Sequence, residues 1–428
     1  MCGLKARLYY AKCKILDYIK MKDIRVIIST LGPLHLIKSA DYLSKLVDVT
    51  VIQGMLPSWW NKWMIWIASK FQKRDISKTI GKRVPKSLTG RNIGIAFPDI
   101  YYWACRFFRI GTPQSASIKA ALLFGKAEKR YLKEADIFHV RSGSGAAGAI
   151  AYAKTKGMKV VVDHSIAHPA FMEQNLRDEY VRNGALFDLG LDNPFWQEII
   201  EECNQADILL VNSSFVCDTF IEQGYSQDKI RVAYLGVRPD FFGLKKDYAF
   251  PADRPFRILF TGGFGFRKGA EYILLALTEL DRLGIPYEMV VVGDSNGAKS
   301  LLSKYHPANI KLVNTVPQGE LKAFLSNADV YLFPSLCEGC ASSGMEALAA
   351  GLPVIATKES GLPIEDGVNG VLVESRNVQN IVDAVLRLRD SLELRERLGR
   401  EAASMISRNY TWEKYAENVV EVYKKLIQ

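Results

Sequence analysis

Two carboxylates and two cations carry the most readable chemistry in this chain. Glu338 and Glu346 lie within Val330 to Ala356, a stretch that reads as a buried strand, a loop and a short helix, while Arg267 and Lys268 follow a glycine-rich turn beginning at Gly262. The strand ends at Pro334, and the helix is expected from about Gly344 to Ala350, stopped by Gly351 and Pro353. A helix start offers unpaired N–H groups and the positive end of the dipole, which suit an anionic ligand. Glu338, in the loop before it, is placed to accept hydrogen bonds from sugar or ribose hydroxyls. Glu346 also has a purely structural explanation, because Ser343 and Glu346 fit a capping box. Lys268, taken alone, is equally well explained as a solvated lysine at a helix start. Together, Arg267, Lys268 and the helix start offer fixed positive charge to an anionic ligand.

The chain that positions these groups has 428 residues, enough for two cores. Apolar residues make up 48% and charged residues 24%, ordinary globular usage that argues against disorder. Short apolar strands alternate with helical stretches, the mark of parallel α/β sheets. Strands are expected at 25–29, 49–53, 137–140, 159–163, 208–212 and 230–234. The pattern restarts at 257–260 and continues at 288–292, 310–313, 330–333 and 354–356, so two sheets are expected, joined through the proline-bearing stretch 236–255. Three segments, starting at Ala135, Ala206 and Ala328, repeat a helix end, a buried strand and a small-residue loop. Open α/β sheets bind ligands beyond the carboxyl ends of their strands, so the loops after Val140, Asn212 and Phe333 are candidate site walls. A shared building unit without a ligand suffices for at least the second copy.

Glu338, seven intervening residues, Glu346-Ala347 and then Ala350-Gly351-Leu352-Pro353-Val354-Ile355-Ala356 resemble the paired-glutamate signature of glycosyltransferase family 4. The likeness extends to Arg257 through Gly263, Arg267-Lys268-Gly269, Val291 through Asp294, Val316-Pro317 with Glu320-Leu321, and Tyr410 through Glu413; it covers about residues 205–428, with 1–200 matching in outline. The resemblance implies a retaining enzyme of GT-B fold, with two facing Rossmann-like doubly wound parallel-sheet domains. Residues 1–238 would form the acceptor side and 239–410 the nucleotide-sugar domain, with 411–428 crossing back onto the first. It implies that Lys268, with Arg267, neutralises the donor diphosphate beside Gly263, that Glu346 binds ribose hydroxyls and that Glu338 contacts the donor sugar. The backbone of Ser343, Gly344 and Met345 would cradle the distal phosphate. Two departures stand out: Gly262-Gly263 replaces the common Gly-Arg, with Arg267 as the candidate substitute, and Gly339-Cys340-Ala341 replaces Gly-Phe-Gly.

The same resemblance implies a histidine at the end of a strand in the first domain, near the donor sugar. His164 ends the strand from Lys159, and His168 is the alternative. Their spacing matches a metal-binding helix, but they follow a strand and lack the HExxH glutamate, so zinc is not expected. His168 is otherwise a helix-start residue, and His139 reads as a core histidine. Gly32 and His35, after the first strand, are candidates for contact with acceptor or donor phosphate, although one glycine stands where the family often has two. Arg141, heading a Ser-Gly-Ser-Gly loop, is a candidate acceptor contact, with a plain turn as the equal alternative.

No metal and no resident cofactor are expected, since no Asp-x-Asp occupies a suitable loop and the nucleotide sugar is a co-substrate. The glycines of 263–269 follow GxGxxxG, which is weak support for a dinucleotide. Seven scattered cysteines read as reduced thiols, and the Cys337–Cys340 pair as coincidence. No signal peptide and no spanning apolar run are read, so a cytoplasmic location is expected. Residues 1–110 hold 20 Lys/Arg against 6 Asp/Glu, a net +14 that leaves −4 for the remainder of the +10 total. Within that segment Trp59, Trp60, Trp63 and Trp66, flanked by Lys62, Lys70, Lys73 and Arg74, read as a face for the anionic inner surface of a membrane, or else as a core helix. The expected function is transfer of a sugar, with retention, from a nucleotide sugar to a glycan or lipid-linked acceptor in cell-surface polysaccharide or glycolipid synthesis, with no nucleic-acid partner. The rivals are a sugar-nucleotide epimerase of the same architecture and a non-catalytic sugar-nucleotide binder.

Overall fold

The computed structural model describes residues 23–32, 35–58, 61–71, 76–81, 83–85, 87–88, 91–249 and 253–428. Two parallel sheets organise the chain. The first contains β1 (Arg25–Thr30), β2 (Asp48–Gln53), β3 (Asn92–Gly94), β4 (Ile137–Arg141), β5 (Lys159–His164), β6 (Ile208–Val211) and β7 (Ile230–Val232), in the order β3-β2-β1-β4-β5-β6-β7. The second contains β8 (Phe256–Thr261), β9 (Tyr287–Val292), β10 (Ile310–Val313), β11 (Val330–Phe333), β12 (Val354–Ala356) and β13 (Val371–Leu372), in the order β10-β9-β8-β11-β12-β13. Helices cover the sheets, so inner strands are apolar throughout: every residue of β6 and β11 is buried. The edge strand β10 buries none of its residues.

β3 and β13 were not anticipated. They are three and two residues long and lie at sheet edges, where neither length nor burial imposes a pattern. β5 runs one residue past 163, in keeping with His164 as the end of that strand, whereas β6 and β7 end earlier than expected, at Val211 and Val232. Strand order reverses between β1 and β4 and again between β8 and β11, so each sheet has a crevice at the carboxyl ends of those strands.

The described part of the stretch 236–255, residues 236–249 and 253–255, is more ordered than its proline content implies. Val237 N–H donates to the Tyr410 carbonyl at 2.8 Å, and Val237 bridges Thr411. The two chain crossings between the sheets therefore pair with each other. Gly236 has no room for a side chain there, since a Cβ would lie 2.3 Å from the Trp412 nitrogen. Thr411 then caps the helix Trp412–Ile427 by accepting from Lys414 N–H. Trp412, Tyr415, Ala416, Val419, Val420 and Tyr423 recur at helical spacing and are buried against β1, β2 and the helix His35–Leu43 of the first domain.

A buried polar contact adds to this packing: the Tyr423 hydroxyl lies 2.5 Å from Nδ1 of fully buried His139. Tyr423→Phe leaves that nitrogen buried without its partner. We expect a loss of about 1–3 kcal/mol in urea unfolding, with circular dichroism otherwise unchanged.

Candidate functional site

The site is built where β8 and β11 end. Gly262 after β8 and Gly293 after β9 both have left-handed backbone (φ 116° and 142°), and a Cβ on Gly293 would lie 2.1 Å from the Gly262 carbonyl. The chain then makes a short 3-10 turn, Phe266–Lys268, ending at Gly269 (φ 72°). A Cβ on Gly269 would strike the Pro334 carbonyl at 2.0 Å, so this turn lies directly against the loop leaving β11. Hydrogen bonds lock the two: Leu336 N–H and Ser335 Oγ both donate to the Arg267 carbonyl, at 2.9 and 3.1 Å. Gly263 has open space where a side chain would stand.

This clamp brings the two cations onto one carboxylate. Arg267 Nη1 lies 2.8 Å and Lys268 Nζ 3.2 Å from Glu338 Oε1, and Arg267 also donates to the Cys337 carbonyl at 2.7 Å. Lys268 Nζ sits 5.0 Å above the Phe333 ring. The helix start joins them: a Cβ on Gly262 would lie 3.4 Å from Lys268 Nζ and 4.0 Å from Ser343 Oγ. A Cβ on Gly344 would meet the Leu362 side chain at 2.5 Å, so any larger residue there would have to displace it.

The capping box expected of Ser343 and Glu346 does not form. The helix begins earlier, at Ser342, with Ala341 in the cap position and no side chain capping it. That start carries Glu346 past the place from which a carboxylate reaches back to the cap. Glu346 instead lines a cavity of about 140 Å³ with Lys38, Arg238, Gln318 and Trp412, while Met345 packs at its wall. Burial raises its carboxyl to about 7, although Arg238 and Lys38 pull it down. Lys38 and Arg238 come from distant parts of the chain and were not anticipated.

Across the cleft, Gly339 touches the first domain: a Cβ on it would lie 2.0 Å from the Ser165 carbonyl, and Ser213 Oγ donates to the Gly339 carbonyl at 2.5 Å. Asn175 Nδ2 donates to the Leu336 carbonyl at 2.5 Å. Ion pairs Arg376–Glu179 at 2.8 Å and Arg182–Glu271 at 2.6 Å continue the contact. The two histidine candidates differ in kind. His168 Nδ1 caps the helix Pro169–Arg182 by accepting from Ala170 N–H, and burial lowers the ring to about 4. His164 is 1% exposed, pairs through Nδ1 with Ser142 Oγ at 2.9 Å, and its Nε2 lacks a hydrogen-bond partner.

The remaining first-domain candidates turn inward. His35 Nε2 lies 2.9 Å from Asp163 Oδ1, and Arg141 donates to the Asp163 carbonyl at 2.6 Å. Arg141 is thus a pinned residue at the end of β4, not an open loop contact. Gly32 is partly buried, and its carbonyl accepts from Thr30 Oγ1 at 3.0 Å. In the tryptophan segment, Trp63 and Trp66 are 61% and 63% exposed on the helix Lys62–Phe71, which Ile65 anchors, with Lys62 and Lys70 also exposed. The helix therefore does not bury these rings in the core. Trp59, Trp60, Lys73 and Arg74 lie outside the described residues. No described helix is long and apolar enough to cross a membrane. Cys337 and Cys340 are free and buried, and no described group of three His, Cys, Asp or Glu side chains could hold a metal ion.

Residues 87–241 match the family model "Glycosyltransferase Family 4", and residues 244–405 match "Glycosyl transferases group 1". The amylovoran biosynthesis glycosyltransferase AmsK of Erwinia amylovora is 32% identical over 196 residues, 43% of this chain and 48% of its own. A D-inositol 3-phosphate glycosyltransferase of Paenarthrobacter aurescens is 30% identical over 237 residues, 51% of this chain and 57% of its own. The chain thus spans about half the length of the curated relatives it matches. Among solved structures, sucrose-phosphate synthase of Thermosynechococcus elongatus superposes with a TM-score of 0.68 at 16% identity, covering 94% of this chain and 99% of the other. Anabaena HepE, solved with UDP, gives 0.60 at 14% identity, covering 94% and 100%.

A carboxyl whose native value lies above its ordinary one keeps a proton that the unfolded chain has released. The stability Glu346 contributes below its ordinary 4.5 is therefore lost as pH rises through about 7. Relative to Glu346→Gln, the wild type should lose stability between about pH 4.5 and pH 8, read as the shift in urea midpoint. An identical pH dependence in both proteins would contradict the half-buried, weakly paired carboxyl.

Proposed function

The chain belongs to the family 4 glycosyltransferases of GT-B architecture, and we propose that it moves a sugar from a nucleotide-sugar donor to a glycan or lipid-linked acceptor, with retention of configuration, in cell-surface polysaccharide or glycolipid synthesis. One observation carries the reading: Arg267, Lys268 and the uncapped start of the Ser342–Ala350 helix converge beside Glu338. Two cations on one carboxylate leave a surplus positive charge, and the helix start adds to it. A diphosphate fits this spot, and its developing charge on cleavage is stabilised without a metal ion. Glu346, half-buried and weakly paired, suits the ribose diol, and Glu338 suits the hydroxyls of the donor sugar. His164 is assigned to the donor sugar, and retention to the reaction, on the family pattern.

The acceptor side has a surface suited to lipid. Beside the Lys62–Phe71 helix packs Phe97–Phe108, whose end leads into an exposed run, Arg106-Phe107-Phe108-Arg109-Ile110. Exposed aromatic rings interleaved with cations match an anionic membrane interface, where each Lys or Arg contributes about 1 kcal/mol. Trp63→Ser together with Phe108→Ser should abolish sedimentation with vesicles containing phosphatidylglycerol at low salt. Absence of wild-type sedimentation would remove the membrane face.

A panel of UDP-, GDP- and ADP-sugars tests the activity. A transferase releases nucleoside diphosphate slowly without acceptor, an epimerase yields a new sugar nucleotide, and a binder gives only thermal stabilisation. With UDP as probe, Lys268→Ala should weaken affinity by about 10-fold or more in calorimetry, as expected for losing a charge-assisted hydrogen bond. Unchanged affinity would overturn the phosphate role.

A further inference from the structure

The atoms around His164 fix where its ring proton lies. Arg141 Nη1 donates to Ser142 Oγ at 2.9 Å and to the Asp163 carbonyl at 2.6 Å. A guanidinium only donates, so it occupies a lone pair of the serine oxygen. The same oxygen lies 2.9 Å from His164 Nδ1, and Ser142 is 8% exposed. Among the described residues, Ser142 Oγ makes no other hydrogen bond. Were the ring protonated on Nδ1, the serine would receive two donors and its own proton would be buried without an acceptor, the costly arrangement. The proton of Ser142 therefore points at Nδ1, and the ring carries its own on the other nitrogen.

We propose that Arg141 and Ser142 lock His164 as the tautomer with hydrogen on Nε2, so that the ring serves as a hydrogen-bond donor on that side and not as a base. Nε2 is the buried nitrogen that lacks a hydrogen-bond partner. The Ala167 backbone lies toward the ring and favours its protonated form, without a hydrogen bond of ordinary geometry. Burial, reinforced by the Arg141 charge, pushes the imidazole down to about 3, so it stays neutral where enzymes of this kind work. The loop that carries Ser142 is held from below: Ser142 N–H donates to the Asp163 carbonyl at 2.9 Å, and Gly143 N–H donates to Glu202 at 2.7 Å. Arg141 and Ser142 are positioning residues. A ring of this tautomer suits an oxygen rich in lone pairs, such as a sugar hydroxyl or phosphate oxygen. That a sugar reaches it rests on the transferase reading; the tautomer itself does not.

The test uses the full chain with 15N-labelled histidine, long-range 1H–15N correlation, and His164→Gln to assign the signals. In the wild type, Nε2 should be the protonated nitrogen, unchanged from about pH 5.5 to about pH 8, a range in which a free histidine titrates. Ser142→Ala should raise the population protonated on Nδ1, and Ser142→Thr should restore the wild-type pattern. A wild-type ring protonated on Nδ1 overturns the proposal, even if Ser142→Ala fails to fold. So does a tautomer unchanged in folded Ser142→Ala. With UDP-glucose as donor probe, turnover should fall at least about 10-fold in Ser142→Ala and recover in Ser142→Thr. Absence of wild-type turnover across the nucleotide-sugar panel would count against the transferase reading and leave the nuclear resonance result standing.

Discussion

Arg267 and Lys268, adjacent in the chain, both reach a single oxygen of Glu338, and the surrounding site depends on that arrangement. Two cations this close repel each other by an amount on the order of a few kcal/mol at the effective dielectric of a protein surface. Backbone holds them there: the carbonyl of Arg267 receives two hydrogen bonds from the loop after β11, and Gly269 lies against Pro334. The glycines at 262, 269 and 293 are the condition for this clamp, since a side chain at 269 or 293 would push the loops apart. Preorganisation of this kind keeps charge in position before the reaction needs it.

The first domain solves a different electrostatic problem. Burial opposes ionisation of Asp163, but His35, His139 and Arg141 outweigh it and hold the carboxyl well below the usual range. This one carboxylate ties together the ends of β4 and β5 and the helix that follows β1. Tyr415, from the last helix, also reaches it. Groups that look like scattered candidates along the chain, His35 and Arg141 among them, are thus partners in a single buried network that sets the geometry of the strand ends.

Much of this was legible before any coordinates. Apolar runs bounded by turns located the inner strands, because burial on both faces leaves little freedom in composition. The paired glutamates were legible because the motif is local, and its neighbours Arg267 and Lys268 because a glycine turn fixes their direction. What escaped reading depended on small shifts or distant partners. Whether Glu346 caps its helix turns on where that helix begins, a matter of two residues. Lys38 and Arg238 meet Glu346 only through the fold. The spacing of Trp63 and Trp66 shows that they share a face, but not whether anything covers it. The difference between His164 and His168 lies in hydrogen-bond partners, Ser142 in one case and the Ala170 amide in the other, which spacing does not encode.

The last helix completes the core of the domain that is made first. Trp412, Tyr415, Val419 and Tyr423 fill a face beside β1, β2 and the His35–Leu43 helix. A nascent chain leaving the ribosome would therefore carry its amino-terminal half with an open apolar seam through synthesis of the whole second domain. Folding during translation, which ordinarily proceeds domain by domain, is deferred here for that half until residues 412–427 have emerged.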